Sequence, residues 1–306
     1  MPATPATPVP TRLLARDLAL DLSLVLSLAC AGTATFAAGP QTSAVPAASS
    51  ASAASNPQLL PPFEIAALHR TRSVRVWLPP SYASAPDRRY PVLYLHDGQN
   101  VFSGPGVPWG GWGVGEAMTE LARTRGFEAI VVAIDHGGEH RVSELSPWPN
   151  KRGIPVEGPA YLAFVVDVLK PWVDAHYRTR PGRESTAMIG SPLGALSTQD
   201  ALLRYPQVFG KAALFSPAYW FTPAIYDETK RHPWPAGTRT YLYAGGAEDS
   251  DMVPDVERMM GVLAGQPHPP ADIALHIEPA NVHDERAWRA EFPRAVSWLF
   301  QLPAVP

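Results

Sequence analysis

The chain of 306 residues has one cysteine, Cys30, and no excess of basic side chains, since 25 Lys and Arg stand against 28 Asp and Glu. A single cysteine excludes an internal disulfide framework. A net charge of −3 leaves no electrostatic footprint for nucleic acid. No internal repeat is evident, so solenoid and propeller architectures are set aside. With 46% hydrophobic residues, the chain has enough apolar material for one large domain or two small ones.

What is present begins with a leader. Arg12 and Arg16 precede a mostly apolar run from Leu18 to Ala38 that closes on small residues, the layout of an export signal, although Asp17 and Asp21 are unusual there. The expected cut lies near Ala37 or Ala38. An uncleaved membrane anchor competes with this reading, but the uninterrupted apolar part is short for a span. Lipidation at Cys30 competes too, although Ser27-Leu28-Ala29 before it matches a lipoprotein box imperfectly. The expected organisation is a signal peptide over 1–38, an uncharged Ala/Ser/Pro-rich linker over 39–56, and a single domain over 57–306. Removing the leader removes the only thiol, so the exported domain has neither disulfide nor cysteine chemistry.

Within the domain, apolar runs suited to strands alternate with helical periodicity, which predicts a mostly parallel sheet with helices on both faces. Strands are expected at His69 to Leu78, Pro91 to Leu95, Ala129 to Ile134, Ala212 to Phe215, Thr240 to Ala244 and Ile273 to Ile277. Helices are expected at Val114 to Arg123, Tyr161 to Tyr177 with a kink or restart at Pro171, Leu193 to Tyr205, Val253 to Leu263, and Arg286 to Phe300 with Pro293 as its weak point. Three long connections, Ser103 to Trp112, Ser146 to Gly158 and Ala218 to Gly237, are candidate rims of a cleft. Trp109, Trp112, Trp148, Tyr219, Trp220 and Trp234 lie in them, where they either stack on a sugar or aromatic acyl group or pack the loops down.

The stretch from Ser185 to Thr198 reads as strand, Gly-bearing turn and helix start. Its frame is Gly190, Ser191, Pro192, Leu193, Gly194, in register with the G-x-S-x-G nucleophile elbow, where flanking glycines let strand and helix approach. The nucleophile position holds Pro192. Proline's φ near about −65° is incompatible with the positive φ expected of an elbow nucleophile. Shifting the frame to Ser191 places Ile189 and Leu193 where glycines belong, which crowds the displaced site.

The partners of a nucleophile are in place. In the chain order nucleophile, acid, histidine, a strand is followed by Gly245-Gly246-Ala247-Glu248-Asp249-Ser250-Asp251, and His283 lies between the last strand and the last helix. Glu248 and Asp249 are equal candidates for the acid, with Asp251 behind them. Oxyanion donors on this plan are the backbone N–H of Leu193 and one near Gly98 or Gln99. Two histidines in His136-Gly137-Gly138-Glu139-His140 lack the helix that would give them a common face, so no metal is assigned, and no cofactor is implied.

Several longer stretches carry a resemblance that covers about Val74 to Leu302. They are Tyr94-Leu95-His96-Asp97-Gly98-Gln99-Asn100-Val101-Phe102, Ile130 to Asp135 followed by Arg141 and Glu144-Leu145-Ser146-Pro147, Leu169-Lys170-Pro171-Trp172-Val173, and Tyr205 to Gly210 leading to Phe215-Ser216-Pro217-Ala218-Tyr219-Trp220. Together they resemble the Putative esterase family of α/β-hydrolases, which includes enterochelin esterase-like, feruloyl esterase-like and S-formylglutathione hydrolase-like proteins. The resemblance implies an α/β-hydrolase fold and a carboxylic-ester hydrolase ancestry. The implied ligands are small-molecule esters, siderophores or acylated carbohydrates. His283 with Trp288 downstream matches the family's final histidine segment, and Ser216 matches a structural element of the family. The chain departs from the family's Gly-x-Ser-x-Gly-Gly elbow at Pro192 and at Ala195. Two readings follow: an exported hydrolase-fold protein that has lost the serine mechanism and keeps a ligand cleft, or an active esterase using Ser191 or a water activated by His283.

Overall fold

Runs of β-branched and aliphatic residues bounded by Gly, Pro and Asp form strands buried on both faces, as Ile130–Ile134 does with all five residues buried. A computed structural model describes residues 56–104, 106–107, 110–267 and 272–303. The expected signal peptide, the linker up to residue 55, Cys30 and Trp109 lie outside the described residues.

In chain order the strands of the main sheet are β1 (Gln58–Leu59), β4 (Val74–Trp77), β5 (Val92–Leu95), β6 (Ile130–Ile134), β7 (Thr186–Gly190), β8 (Lys211–Phe215), β9 (Arg239–Gly245) and β10 (Ile273–Glu278). Their spatial order is β1-β4-β6-β5-β7-β8-β9-β10, while β2 (Phe63–Ile65) and β3 (Arg70–Arg72) make a separate two-stranded sheet. From β6 to β10 every pairing is parallel, and β1 and β4 join antiparallel at one edge. Helices α1 (Val114–Arg125) and α8 (Glu285–Leu299) cover one face, with Met118, Leu121, Phe292 and Val296 packed on Leu93, Val131 and Ile189. On the other face lie α3 (Gly158–Phe164), α4 (Lys170–His176), α5 (Leu193–Arg204), α6 (Ala224–Arg231) and α7 (Met252–Ala264), packed on Tyr94, Val132, Met188 and Leu242. A short α2 (Arg141–Glu144) follows β6. The α/β-hydrolase architecture expected from the sequence is therefore present. No helix among the described residues is long and apolar enough to cross a membrane.

Three differences from the sequence reading have physical causes. The single strand expected over His69 to Leu78 is two strands in two sheets, because the guanidinium of Arg72 turns inward onto the buried Glu144 carboxylate at 2.7 Å. The strand's alternation leaves Trp77 on the face opposite Val74 and Val76, and that face is covered too, so Trp77 is buried in the second core cluster with Val114 and Met118 of α1. Helix α6 falls inside the expected rim loop from Ala218 to Gly237, where about two turns of amphipathic sequence bury Ile225 and Tyr226. Pro171 does restart a helix: a five-residue π turn, Val165–Leu169, precedes α4 and absorbs the hydrogen bond that proline cannot donate. Pro293 sits inside α8, which runs on to Leu299.

Candidate active site

In an open parallel sheet, ligands bind beyond the carboxyl ends of the strands where the connections diverge, and here β5 lies between β6 and β7. At the end of β7, a Cβ on Gly190 would stand 2.5 Å from the Gly194 carbonyl carbon, and one on Gly194 would stand 3.1 Å from His96 Cβ. The two glycines thus serve the close strand–helix approach that the motif frame implied. Pro192 takes φ −69°, ψ −39°, already helical, immediately before α5. Its carbonyl accepts from Leu196 N at 3.3 Å and Ala218 N at 3.0 Å, which fixes the turn. Ser191 is buried, its carbonyl accepting from Gly194 N at 3.0 Å and Arg141 Nη2 at 3.4 Å. Its hydroxyl makes no hydrogen bond among the described residues.

Of the carboxylates left open by the sequence, Glu248 holds the histidine. Its Oε2 lies 2.5 Å from His283 Nδ1, and its side chain is fully buried. Oε1 accepts from Gly245 N at 2.7 Å and from Ser216 Oγ at 2.6 Å. Asp249 and Asp251 are exposed loop residues, so Asp249 is not the partner of His283. Ser216 in turn accepts from the Trp288 indole N–H at 2.9 Å. It is buried at φ 45°, one of four non-glycine residues with positive φ among the described residues. That left-handed conformation turns the chain after β8 so that the hydroxyl meets Glu248. The sequence reading passed over Ser216 as structural, and the contact shows what it supports. The Trp288 ring lies edge-on to the His283 ring, centroids 5.1 Å apart.

Ser191 and Pro192 open onto a pocket of about 200 Å³ lined also by His96, Asp97, Asn100, Trp112, Arg141 and Trp288. His283 is not part of that lining; its ring meets Trp288, which is. Asp97, with φ 55°, receives a bidentate pair from Arg141 at 2.6 and 2.8 Å. Burial pushes the His96 imidazole down to about 4, against a raising effect of Asp97 and with a lowering one from Arg141. His96 is therefore neutral at ordinary pH. Neither its burial nor the Arg141 clamp had a local signal in the sequence beyond membership of the quoted motifs.

The expected oxyanion residues follow β5, in the case of Gly98 and Gln99, and open α5, in the case of Leu193. A Cβ on Gly98 would stand 2.8 Å from Asp135 N, so only glycine fits. The Gln99 side chain clamps the His136 backbone, donating to its carbonyl at 3.0 Å and accepting from its N–H at 2.8 Å. The backbone N–H groups of Gly98, Gln99 and Leu193 take no acceptor among the described residues. The aromatic rim is mostly packing: Tyr219 and Trp234 are buried, and the Tyr219 hydroxyl donates to Gln199 at 2.5 Å. Trp148 and Trp220 carry Arg204 and Arg152 over their rings. Among the described members of that set, Trp112 is the one that reaches the pocket wall. Among the described residues no three His, Cys, Asp or Glu side chains converge as a metal-ligand set.

The fold, the glycine-framed turn between β7 and α5, and a strand-end carboxylate paired with a late histidine define an α/β-hydrolase of the esterase type. The family model described as Putative esterase matches residues 65–251, and the chain belongs to that family. Uncharacterized protein YbbA of Bacillus subtilis is 25% identical over 243 residues, which are 75% of this chain and 92% of YbbA. Ferri-bacillibactin esterase BesA of the same organism is 25% identical over 186 residues, 53% of this chain and 59% of BesA. The crystal structure of BES protein from Bacillus cereus shares the fold at a TM-score of 0.66, with 18% identity, covering 80% of this chain and 95% of that one.

Proposed function

We propose that this is an exported member of the esterase family whose elbow has lost the serine mechanism and whose cleft binds a small acyl compound. The observation that carries the reading is the backbone at Pro192, helical at φ −69° where an attacking serine needs a positive φ. Ser191, one residue earlier, has no hydrogen bond to His283 among the described residues, so the proton relay that activates a hydroxyl is not assembled. The pocket, small beside ordinary ligand sites of roughly 300–1,000 Å³, suits one acyl group better than a whole siderophore. BesA, by its name an esterase of ferri-bacillibactin, makes siderophore esters and their acyl fragments the first ligands to try.

A fluorophosphonate probe tests the loss of mechanism directly. The purified chain should not be labelled at Ser191, and stoichiometric labelling there, abolished in Ser191→Ala, would contradict the proposal. Export is tested by the N-terminus of the protein recovered outside the cytoplasm, which should begin near Gly39.

A second reading is favoured by one observation, the intact Glu248–His283 pair. A histidine so held can act as general base on a water, which gives slow hydrolysis of activated esters without a covalent intermediate. Such turnover would be lost in His283→Ala and kept in Ser191→Ala.

A further inference from the structure

His96 lies directly after β5, is 4% exposed, and lines the pocket beside Ser191 and Pro192. Its Nδ1 is 2.9 Å from the Tyr161 hydroxyl, and its Nε2 is buried without a partner. The proton positions follow from counting. If Tyr161 donates to Nδ1, the only buried group left unpaired is the Nε2–H. If Nδ1–H donates to the Tyr161 oxygen, both the Nε2 lone pair and the phenolic hydrogen are left unpaired. The first arrangement leaves fewer orphans, so the ring presents an N–H donor. Burial keeps that ring uncharged, with its ionisation pushed down to about 4.

Other donors share the site. The N–H of Leu193 opens the 12-residue helix α5, the N–H of Gln99 is free, and a Cβ on Gly194, in the first turn of α5, would lie 3.5 Å from His96 Cδ2. The imidazole is therefore packed against the positive end of that helix. The formal charges on the lining run the other way: Arg141 pairs with Asp97 and is acted on by Glu285 as well, so two carboxylates stand beside one guanidinium, with His136 and His96 as the remaining ionisable groups. The N–H donors suit a carbonyl oxygen, and a lining that already holds the carboxylates of Asp97 and Glu285 against the one guanidinium of Arg141 disfavours a ligand bringing a further full negative charge. Trp112 and Trp288, tilted with centroids 5.5 Å apart, give the pocket an aromatic wall.

We propose that His96 Nε2–H is a ligand donor, binding the carbonyl oxygen of an uncharged acyl compound, and that this pocket takes an aromatic ester or amide in preference to the corresponding carboxylate. The proposal rests on the reading of the cleft as a binding site. It adds which side chain selects the ligand and which charge state is chosen.

Benzamide and benzoate at pH 7.5 are the probes, titrated calorimetrically into the purified chain, His96→Phe and Tyr161→Phe. Benzamide should bind the native chain at least about tenfold more tightly than benzoate. His96→Phe should weaken benzamide about fivefold or more, the effect of one lost hydrogen bond to a neutral group, with little change for benzoate. Tyr161→Phe, which leaves Nδ1 free to hold the proton, should weaken benzamide as well, and it gives the answer if His96→Phe does not fold. Benzoate binding as tightly as benzamide overturns the proposal, and so does benzamide binding that is unchanged in the folded variants. If neither probe binds the native chain, the binding-cleft reading falls and the proposal with it. If benzamide binding depends on His96 while Ser191 is labelled by fluorophosphonate, only the loss-of-mechanism reading falls.

Discussion

His283 Nδ1 stands 2.5 Å from Glu248 Oε2, and that carboxylate is also held by Ser216 and by the Gly245 N–H. A histidine oriented by a buried carboxylate is the half of a triad that moves protons. Its preservation beside a proline-bearing elbow is the central feature of the site.

The pairing discriminates Glu248 from its neighbour. A downfield imidazole N–H proton resonance from His283 is expected in the native chain and in Asp249→Asn, and it should vanish in Glu248→Gln. Loss of the resonance in Asp249→Asn with retention in Glu248→Gln would reverse the assignment of the acid.

Ser216 holds the acid through a strained backbone. Ser216→Ala removes the donor to Glu248 and the acceptor for the Trp288 indole, and should cost about 1–3 kcal/mol of stability for the buried groups left unpaired. Ser216→Gly loses the same hydroxyl but relieves the positive φ of 45°, so it should be more stable than Ser216→Ala by about 1 kcal/mol. Urea unfolding of the two variants measures both differences, and an alanine variant as stable as the native chain would remove Ser216 from the network.

How far the site was legible in the sequence depends on the distance over which each signal acts. Strand β6 was visible because Ile130–Ile134 is apolar throughout and flanked by polar residues, and the turn at Gly190–Gly194 because its glycines are local. The choice between Glu248 and Asp249 was not visible, since adjacent residues share one sequence context and differ only in which one turns inward under β8 and β9. His96 lay inside a quoted motif, yet its function depends on Tyr161, 65 residues away. For the rim aromatics the sequence left two readings open, stacking on a ligand or packing the loops down. Trp234 and Tyr219 carry polar edges that suit a cleft rim, but both are buried in the larger core cluster, Tyr219 against Gln199 of α5 and Tyr226 of α6.

Burial of His96 also sets a pH dependence. Its ionisation falls from 6.5 to about 4 on folding, so between those values the unfolded chain binds the proton and the native one does not. This contribution is fully present above about pH 6.5 and is lost as pH falls towards 4, a change of about 3 kcal/mol. Asp200, pushed up to about 6 by burial, acts in the opposite sense over much of the same range, so the native curve alone does not isolate His96. The stability difference between the native chain and His96→Phe does isolate it. That difference should shift in favour of the variant as pH drops from 7 to 4, and a constant difference would show that His96 keeps its ordinary ionisation.

The most direct test of the account is kcat/KM for p-nitrophenyl acetate, measured for the native chain beside Pro192→Ser. A carboxylate-held His283 and free oxyanion donors predict a rise of about a hundredfold or more when the serine is supplied, lost again when His283→Ala is added. Native turnover at ordinary esterase efficiency, unimproved by Pro192→Ser and abolished by Ser191→Ala, would contradict it.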